Sequence, residues 1–183
     1  PFFSGSLMTA TVFQKERKNP LGAVRAFSMA FSKEEQNVGL VIKATHAKEE
    51  DIIFFQELLK NRSNIFFLYD SYDKTVFNSL IKNIDVYVSL HRAEGFGLVM
   101  AEAMILGTPV IATNWSANTE FINDDVSCMV RAEVVPLKEN VPPITKVTIG
   151  RSRMRKRLHN GCIDFILIHH SKKKRFGRRE NTF

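Results

Sequence analysis

Short apolar runs alternate with helical patterns along most of this 183-residue chain, and this alternation limits its fold more than any other feature. The predicted strands are Thr9–Phe13, Val38–Ala44, Ile65–Tyr69, Asp85–Leu90 and Pro109–Ala112. The predicted helices run from Pro20 to about Ser32, from Glu49 to Lys60, from the capping residue Asp73 to about Lys82, and from Leu98 to Leu106. Near-continuous apolar runs are typical of parallel strands covered on both faces. The pattern predicts an α/β fold, a Rossmann-like parallel sheet with helices on both faces.

The stretch His91–Glu120 reads HRAEGFGLVMAEAMILGTPVIATNWSANTE and combines a turn, a helix, a strand and a polar loop. Gly95 and Gly97 let the backbone of the turn approach a ligand closely. The helix after the turn directs its unpaired N–H groups and the positive end of its dipole toward that ligand. Such a helix end binds phosphate readily. Because the turn follows a predicted strand, it lies at the sheet edge where α/β proteins bind ligands.

Two carboxylates flank this predicted phosphate site, Glu94 before the helix and Glu102 within it. A carboxylate repels a phosphate, so we expect both side chains to face neutral hydroxyl groups beside the phosphates. Phosphates flanked by hydroxyl-rich groups describe a nucleotide sugar. The stretch therefore predicts a nucleotide-sugar site.

The sequence EGFGLVMAEAM, followed by GTPVIAT, resembles the donor-binding half of retaining GT-B glycosyltransferases of the group 1 type, which carry a Glu-x7-Glu motif. Here the motif is Glu94 and Glu102, and the resemblance extends over roughly Arg17 to Asn140. It implies that residues 1–143 are a C-terminal GT-B domain that binds a nucleoside diphosphate sugar. The implied reaction is the transfer of a hexose, with retention, to a sugar or glycan acceptor.

The resemblance also implies roles for individual residues. Glu94 is expected at the reaction centre, where it contacts the hexose hydroxyls, and Glu102 is expected to bind the ribose hydroxyls. The backbone amides expected to hold the sugar and the diphosphate are those of Gly95, Phe96, Gly97 and Leu98.

Basic side chains near the end of the first strand form a second group of candidates. Lys18 is expected to reach the diphosphate, and Arg17 is a further candidate for that role. His91 either bonds a phosphate or sugar at the mouth of the loop or is a structural loop histidine. Lys43 either points into the cleft or is an ordinary strand-end lysine. The polar loop Thr113–Asn118 is expected to face the same cleft.

The chain contains no Asp-x-Asp sequence and no His/Cys cluster with the spacing of metal ligands. We therefore expect no metal site and no cofactor, with helix amides and Lys18 meeting the charge of the departing diphosphate. Cys128 and Cys162 match no redox spacing, and we expect reduced thiols. The resemblance also implies that the acceptor site comes largely from a missing N-terminal GT-B domain. This chain alone should then bind donor weakly and transfer little.

The net charge of +7 is unevenly distributed. Residues 151–183 carry 11 Lys and Arg against 2 Asp and Glu, which leaves 15 against 17 in residues 1–150. The end of the chain is therefore +9 and the main body −2, so the high pI says nothing about the partner of the folded part. We expect no nucleic acid partner. No apolar run is long enough to predict a transmembrane segment, and the first residues lack the basic start of a signal peptide. We expect a cytoplasmic protein, with peripheral membrane contact left open.

The tail, residues 144–183, does not continue the resemblance, which stops after VVPLKENVPP where the family continues toward WAEPD. A shifted reading frame combines the third base of each codon with the first two bases of the next codon. In that frame the five residue pairs from Ile149–Gly150 to Arg153–Met154 permit codons for Trp, Ala, Glu, Pro and Asp, in this order. We hypothesise that residues after about Pro143 are a frameshifted translation. The rival interpretation is a genuine basic arm for nucleic acid or acidic membrane, and a disordered tail is compatible with both. The alternative functions are thus a non-catalytic nucleotide-sugar-binding or structural remnant and a basic-tailed nucleic-acid-binding protein.

Overall fold

The computed structural model describes residues 6–12 and 15–132 of the chain. Its strands are β1 Ser6–Val12, β2 Val38–Ala44, β3 Ile65–Leu68, β4 Val86–Ser89, β5 Val110–Asn114 and β6 Cys128–Arg131. Its helices are α1 Lys15–Lys18, α2 Pro20–Ala30, α3 Glu49–Leu59, α4 Lys74–Asn83 and α5 Leu98–Ile105, with a 3₁₀ helix at Ala117–Glu120. None of the described helices is long and apolar enough to cross a membrane. Phe13 and the predicted tail lie outside the described residues.

The six described strands form one sheet in the order β3-β2-β1-β4-β5-β6, and each neighbouring pair is parallel. In the central strand β1, Met8 lies opposite Leu40 of β2 on one side and Val86 of β4 on the other. Parallel strands need a crossover connection, and helices α2 to α5 lie in these connections between β1 and β5. The predicted Rossmann-like α/β fold is therefore confirmed.

Helices cover both faces of the sheet, because successive side chains of a strand point to opposite faces. In β4, Val86 and Val88 pack in a core cluster with side chains of α2 and α3, whereas Tyr87 packs in a second cluster with α4 and α5. On the first face, Phe55 of α3 is fully buried and stacks on Phe67 of β3 with ring centroids 4.7 Å apart. Burial of an apolar side chain of this size contributes about 2–3 kcal/mol to folding.

The strand order reverses between β1 and β4, and this reversal positions the candidate site. After β1 the chain proceeds toward β2 on one side of the sheet, and after β4 it proceeds toward β5 on the other. The connections therefore separate at this point and leave a crevice outside the carboxyl ends of β1 and β4. α1 and the loop that precedes α5 border this crevice.

The structure corrects the sequence prediction at the far edge of the sheet. Strand β6 is not predicted by the sequence pattern. The predicted polar loop Thr113–Asn118 is wrong at its start, because Thr113 and Asn114 belong to β5. These two polar residues pair with Val130 and Arg131 of β6, and this pairing extends the strand beyond its apolar part.

The prediction of a reduced thiol is wrong at Cys128, which is disulfide-bonded. Spacing along the chain does not fix the distance between two sulfur atoms in the fold, and that distance decides whether they bond. Cys162 lies outside the described residues.

Candidate functional site

A cleft of about 510 Å³ opens at the carboxyl edge of the sheet. It is lined by Arg17, Lys18, Lys43, Thr45, His46, Tyr72, Lys74, Phe77 and Val99. Four of these side chains belong to Lys or Arg and none is a carboxylate, and a cleft lined by one sign of charge concentrates ligands of the opposite sign. The geometry therefore favours an anionic ligand. Among the described residues, no three His, Cys, Asp or Glu side chains are grouped as metal ligands would be.

Asn19 fixes the segment that follows β1. Its backbone is left-handed, with φ of 53°, a conformation that asparagine adopts more readily than most residues. Its side chain accepts a hydrogen bond from Gly22 N, which caps α2, and donates to the backbone oxygen of Leu90 at 2.9 Å. The backbone N–H of Arg92 donates to the backbone oxygen of Arg17 at 2.8 Å. These bonds hold the segment after β1 against the segment after β4.

Glu94 forms an ion pair with both basic residues that the sequence singles out. Its side chain is only 9% exposed. Lys18 Nζ donates to Oε2, and Arg17 Nη1 lies 3.4 Å from Oε1. Arg17 also donates to the backbone oxygen of Ala93 at 3.2 Å, and Ser116 Oγ donates to the backbone oxygen of Glu94. The structure thus brings three predicted site residues together, with the two cations on the carboxylate.

The environment of Glu94 favours its ionised form. Burial raises the pKa of the carboxyl group, but the hydrogen bond and charge of Lys18, together with the charge of Arg17, lower the pKa by more. The net pKa is below the ordinary value of a glutamate. An ion pair this buried depends on both partners, because the removal of one leaves a poorly hydrated charge alone.

His91 joins the loops that follow β4 and β5. The ring is fully buried, with Nδ1 3.0 Å from Ser89 Oγ and Nε2 3.1 Å from the backbone oxygen of Trp115. A carbonyl oxygen only accepts, so Nε2 carries the hydrogen, and Nδ1 of the neutral ring accepts from the Ser89 hydroxyl. Burial lowers the pKa of His91 and favours this neutral form. Both ring nitrogens are bonded within the protein, which fits the structural alternative for His91.

Gly97 is the residue at which the predicted phosphate-binding turn becomes α5. Its φ is 88°, and no side chain caps the helix. A Cβ at this position would lie 2.5 Å from Met100 Cε. Leu98 begins the helix and is exposed. The uncapped amino end of α5 therefore retains N–H groups for a ligand.

The residues on the other side of this turn are accessible. A Cβ at Gly95 would meet no atom of the described chain within 4 Å. Phe96 is 58% exposed, and its ring stacks on Phe121 with centroids 5.0 Å apart. The stacking holds the turn without covering it.

Glu102 pairs with a lysine that the sequence analysis does not identify. Its Oε1 lies 2.5 Å from Lys74 Nζ, and the two side chains are 21% and 61% exposed, respectively. Lys74 is the first residue of α4, which follows β3. The position of Lys74 after a predicted strand could have identified it, because the carboxyl ends of all parallel strands meet at the edge where the cleft opens.

Lys43 takes the cleft-facing alternative. It ends in the cleft but is buried along β2. Its Nζ donates to the backbone oxygens of Ala44 and Asp70, the latter at 2.8 Å, and lies 4.7 Å from the centroid of the Tyr72 ring. Burial lowers the pKa of the ammonium group, and the charge of Asp70 opposes that shift. Lys43 thereby connects the end of β2 with the segment after β3.

The family model of the group 1 glycosyl transferases matches residues 9–141. The chain belongs to this family. The matched residues of this group 1 glycosyltransferase include Glu94, Glu102 and the turn between them. Protein CapJ of Staphylococcus aureus is 31% identical to the chain over 74 residues, which are 39% of this chain and 19% of CapJ.

Solved structures place this glycosyltransferase in the C-terminal Rossmann-like half of the GT-B fold. WaaG, a glycosyltransferase involved in lipopolysaccharide biosynthesis, matches with a TM-score of 0.62 and 19% identity over 85% of this chain and 37% of WaaG. HepE of Anabaena, in complex with UDP-glucose, matches with a TM-score of 0.62 and 17% identity over 87% of this chain and 39% of HepE. The C-terminal domain of LpcC from Francisella tularensis matches with a TM-score of 0.58 and 26% identity over 69% of this chain and 67% of that domain.

Replacement of Gly97 by alanine should destabilise the protein, because an L side chain at φ of 88° is strained and its Cβ would displace Met100. We expect G97A to lower the free energy of unfolding by about 1–2 kcal/mol. The measurement is urea unfolding, and G95A in the same turn is the control, expected within about 0.5 kcal/mol of wild type. Equal unfolding midpoints for the two variants would contradict this account of the turn.

The pairing of Glu94 should make stability depend on acid pH. Because its pKa is lower in the folded chain than the ordinary 4.5, its contribution is present above pH 4.5 and is lost as the pH falls through the folded-state pKa. We expect E94Q to be less stable than wild type at neutral pH by about 1–3 kcal/mol, and this difference to shrink below pH 4.5. Urea unfolding across the acid range measures it, with E57Q, in the exposed Glu57–Lys60 pair, as the control. If the free energies of unfolding of E94Q and wild type differ by the same amount at every pH, the prediction is refuted.

Proposed function

We propose that this chain is the donor-binding domain of an enzyme that transfers a hexose, with retention, from a nucleoside diphosphate sugar to a sugar or glycan acceptor. The observation that carries the proposal is the basic cleft at the strand-order reversal, bordered by the Lys18–Glu94 and Lys74–Glu102 pairs. A diphosphate needs positive charge, and the hydroxyls of hexose and ribose need hydrogen-bond acceptors. HepE, which has the same fold and was solved with UDP-glucose, supports this class of donor.

In this proposal the diphosphate lies between Lys18 and the uncapped amino end of α5. Its charge competes with Glu94 for Lys18 and Arg17, the two cations that hold the carboxylate. As these cations turn to the phosphates, Glu94 becomes available to accept hydrogen bonds from the hexose hydroxyls. Glu102 accepts from the ribose hydroxyls.

We propose that the reaction needs no metal and no cofactor. The charge that develops on the departing diphosphate would be met by Lys18, Arg17 and the amides of α5, which are fixed in place before the reaction begins. Retention rests on the resemblance of Glu94 and Glu102 to the Glu-x7-Glu motif.

The acceptor site is proposed to lie largely in a GT-B domain outside this chain. The chain spans 19% of CapJ and 37% of WaaG. Transfer also requires a closed cleft from which water is excluded, so we expect this chain alone to transfer little. Donor binding is therefore a more informative measurement than turnover. A cytoplasmic location, with or without peripheral membrane contact, belongs to the same proposal.

Titration of the chain with UDP and GDP tests the donor site. We expect saturable binding of at least one nucleotide and a loss of about tenfold in affinity for E102A, because a ribose hydroxyl loses its charged acceptor. The matched control is E57A, which removes a glutamate paired with Lys60 on the exposed surface of α3 and should leave the affinity unchanged. Absence of binding to the wild-type chain would favour a structural remnant instead.

We further propose that the sequence after about Pro143 is a frameshifted translation with no role of its own. Sequencing the gene from about codon 140 past the stop tests this idea. We expect another frame to encode Trp-Ala-Glu-Pro-Asp followed by a long helical pattern. If no frame does, the basic tail is genuine, and binding of nucleic acid that weakens steeply with salt becomes the function to measure.

A further inference from the structure

Lys74 is a cation of the cleft to which neither the sequence motif nor the proposed function assigns a role. It opens α4, on the same sheet face as α5, and its Nζ reaches across to Oε1 of Glu102. Its side chain also passes the ring of Phe77, with Nζ 5.9 Å from the centroid. Both Lys74 and Phe77 line the cleft.

Helix stability does not account for this lysine. A cation at the amino end of a helix is opposed by the positive end of the helix dipole. The Asp73 carboxylate already caps the amino end of α4, so the helix gains nothing from Lys74 there, whereas Lys82 in the last turn has the favourable placement for a cation. The pair with Glu102 adds little to folding either, because Lys74 is 61% exposed and exposed ion pairs contribute little.

Lys74 contacts only one of the two oxygens of the Glu102 carboxylate. It bonds one carboxylate oxygen, Oε1, and no described residue bonds the other, Oε2. A glutamate side chain has three rotatable bonds, and a ligand that uses an unrestrained glutamate must first order it. A lysine on one oxygen fixes the carboxylate, which leaves the second oxygen as an oriented acceptor.

We propose that Lys74 is a positioning residue for the donor: it holds the Glu102 carboxylate so that Oε2 accepts hydrogen bonds from the ribose hydroxyls of a nucleoside diphosphate. This inference rests on the proposed function. It assigns Lys74 an action through Glu102, in contrast to Lys18, whose proposed partner is the diphosphate itself.

A double-mutant cycle tests the proposal on the full chain, with nucleotide affinity as the readout. The variants are K74M, E102Q and the double variant, because methionine keeps an unbranched stem over Phe77 and removes only the charge. We expect the K74M substitution to weaken binding of the nucleoside diphosphate about fivefold when Glu102 is present. Combined with E102Q, the same substitution should have almost no effect on affinity. K74R should retain most of the affinity, since arginine also bonds a carboxylate.

Two controls separate positioning from general charge and from folding. K60M removes the lysine of an exposed pair with Glu57 outside the cleft and should leave affinity unchanged. The thermal midpoint of K74M should equal that of wild type. With a 2′,3′-dideoxynucleoside diphosphate, which offers Glu102 no ribose hydroxyl, K74M and wild type should bind alike.

The results that overturn the proposal are distinct. If wild type binds a nucleoside diphosphate and K74M binds it equally well, the positioning role is wrong and the proposed function stands. If the K74M substitution weakens binding as much in the E102Q variant as in the chain with Glu102, Lys74 acts on the phosphates and not through Glu102. The same conclusion follows if K74M weakens binding of the dideoxy ligand as much as binding of the ordinary nucleotide. If wild type binds none of UDP, GDP, ADP, CDP and TDP, the proposed function and this inference both fail.

Discussion

The buried ion pair between Lys18 and Glu94 is the interaction on which the rest of the site depends. It joins the segment after β1 to the segment after β4, where the strand order of the sheet reverses. A pair of this kind contributes to stability only if good geometry offsets the loss of hydration. Arg17 on the second carboxylate oxygen, and Ser116 on the glutamate backbone, supply the additional bonds.

Hydrogen bonds around that pair also hold the segments after β1 and β4 together. Asn19 adopts a left-handed conformation so that one side chain caps α2 and also reaches the backbone of Leu90. Burial lowers the pKa of His91 and favours its neutral form, and its two ring nitrogens bond Ser89 and the backbone of Trp115. Three loops are therefore fixed relative to one another before a ligand arrives, which reduces the ordering that binding requires.

The charges at the cleft include two lysine–glutamate pairs. Lysines from the segments after β1 and β3 line the cleft; one contacts Glu94, which precedes α5, and the other contacts Glu102, which lies within it. The carboxylates compensate these cations. In the proposed function, a diphosphate competes with Glu94 for Lys18, so that phosphate binding frees an acceptor for the hexose hydroxyls, whereas Lys74 stays on Glu102.

The sequence by itself determined the fold and identified the candidate residues of the site. Alternating apolar runs and helical patterns predicted the parallel sheet, and the turn around Gly95 and Gly97 with its two glutamates predicted a nucleotide-sugar site. These features are local in the chain, so periodicity and turn chemistry reveal them. The tertiary structure alone decided which side chains meet: Lys18 on Glu94, Lys74 on Glu102, and β6 beside the polar end of β5. Such contacts join residues that are distant along the chain, and their partners are fixed only when the parallel strands bring their carboxyl ends to one edge of the sheet.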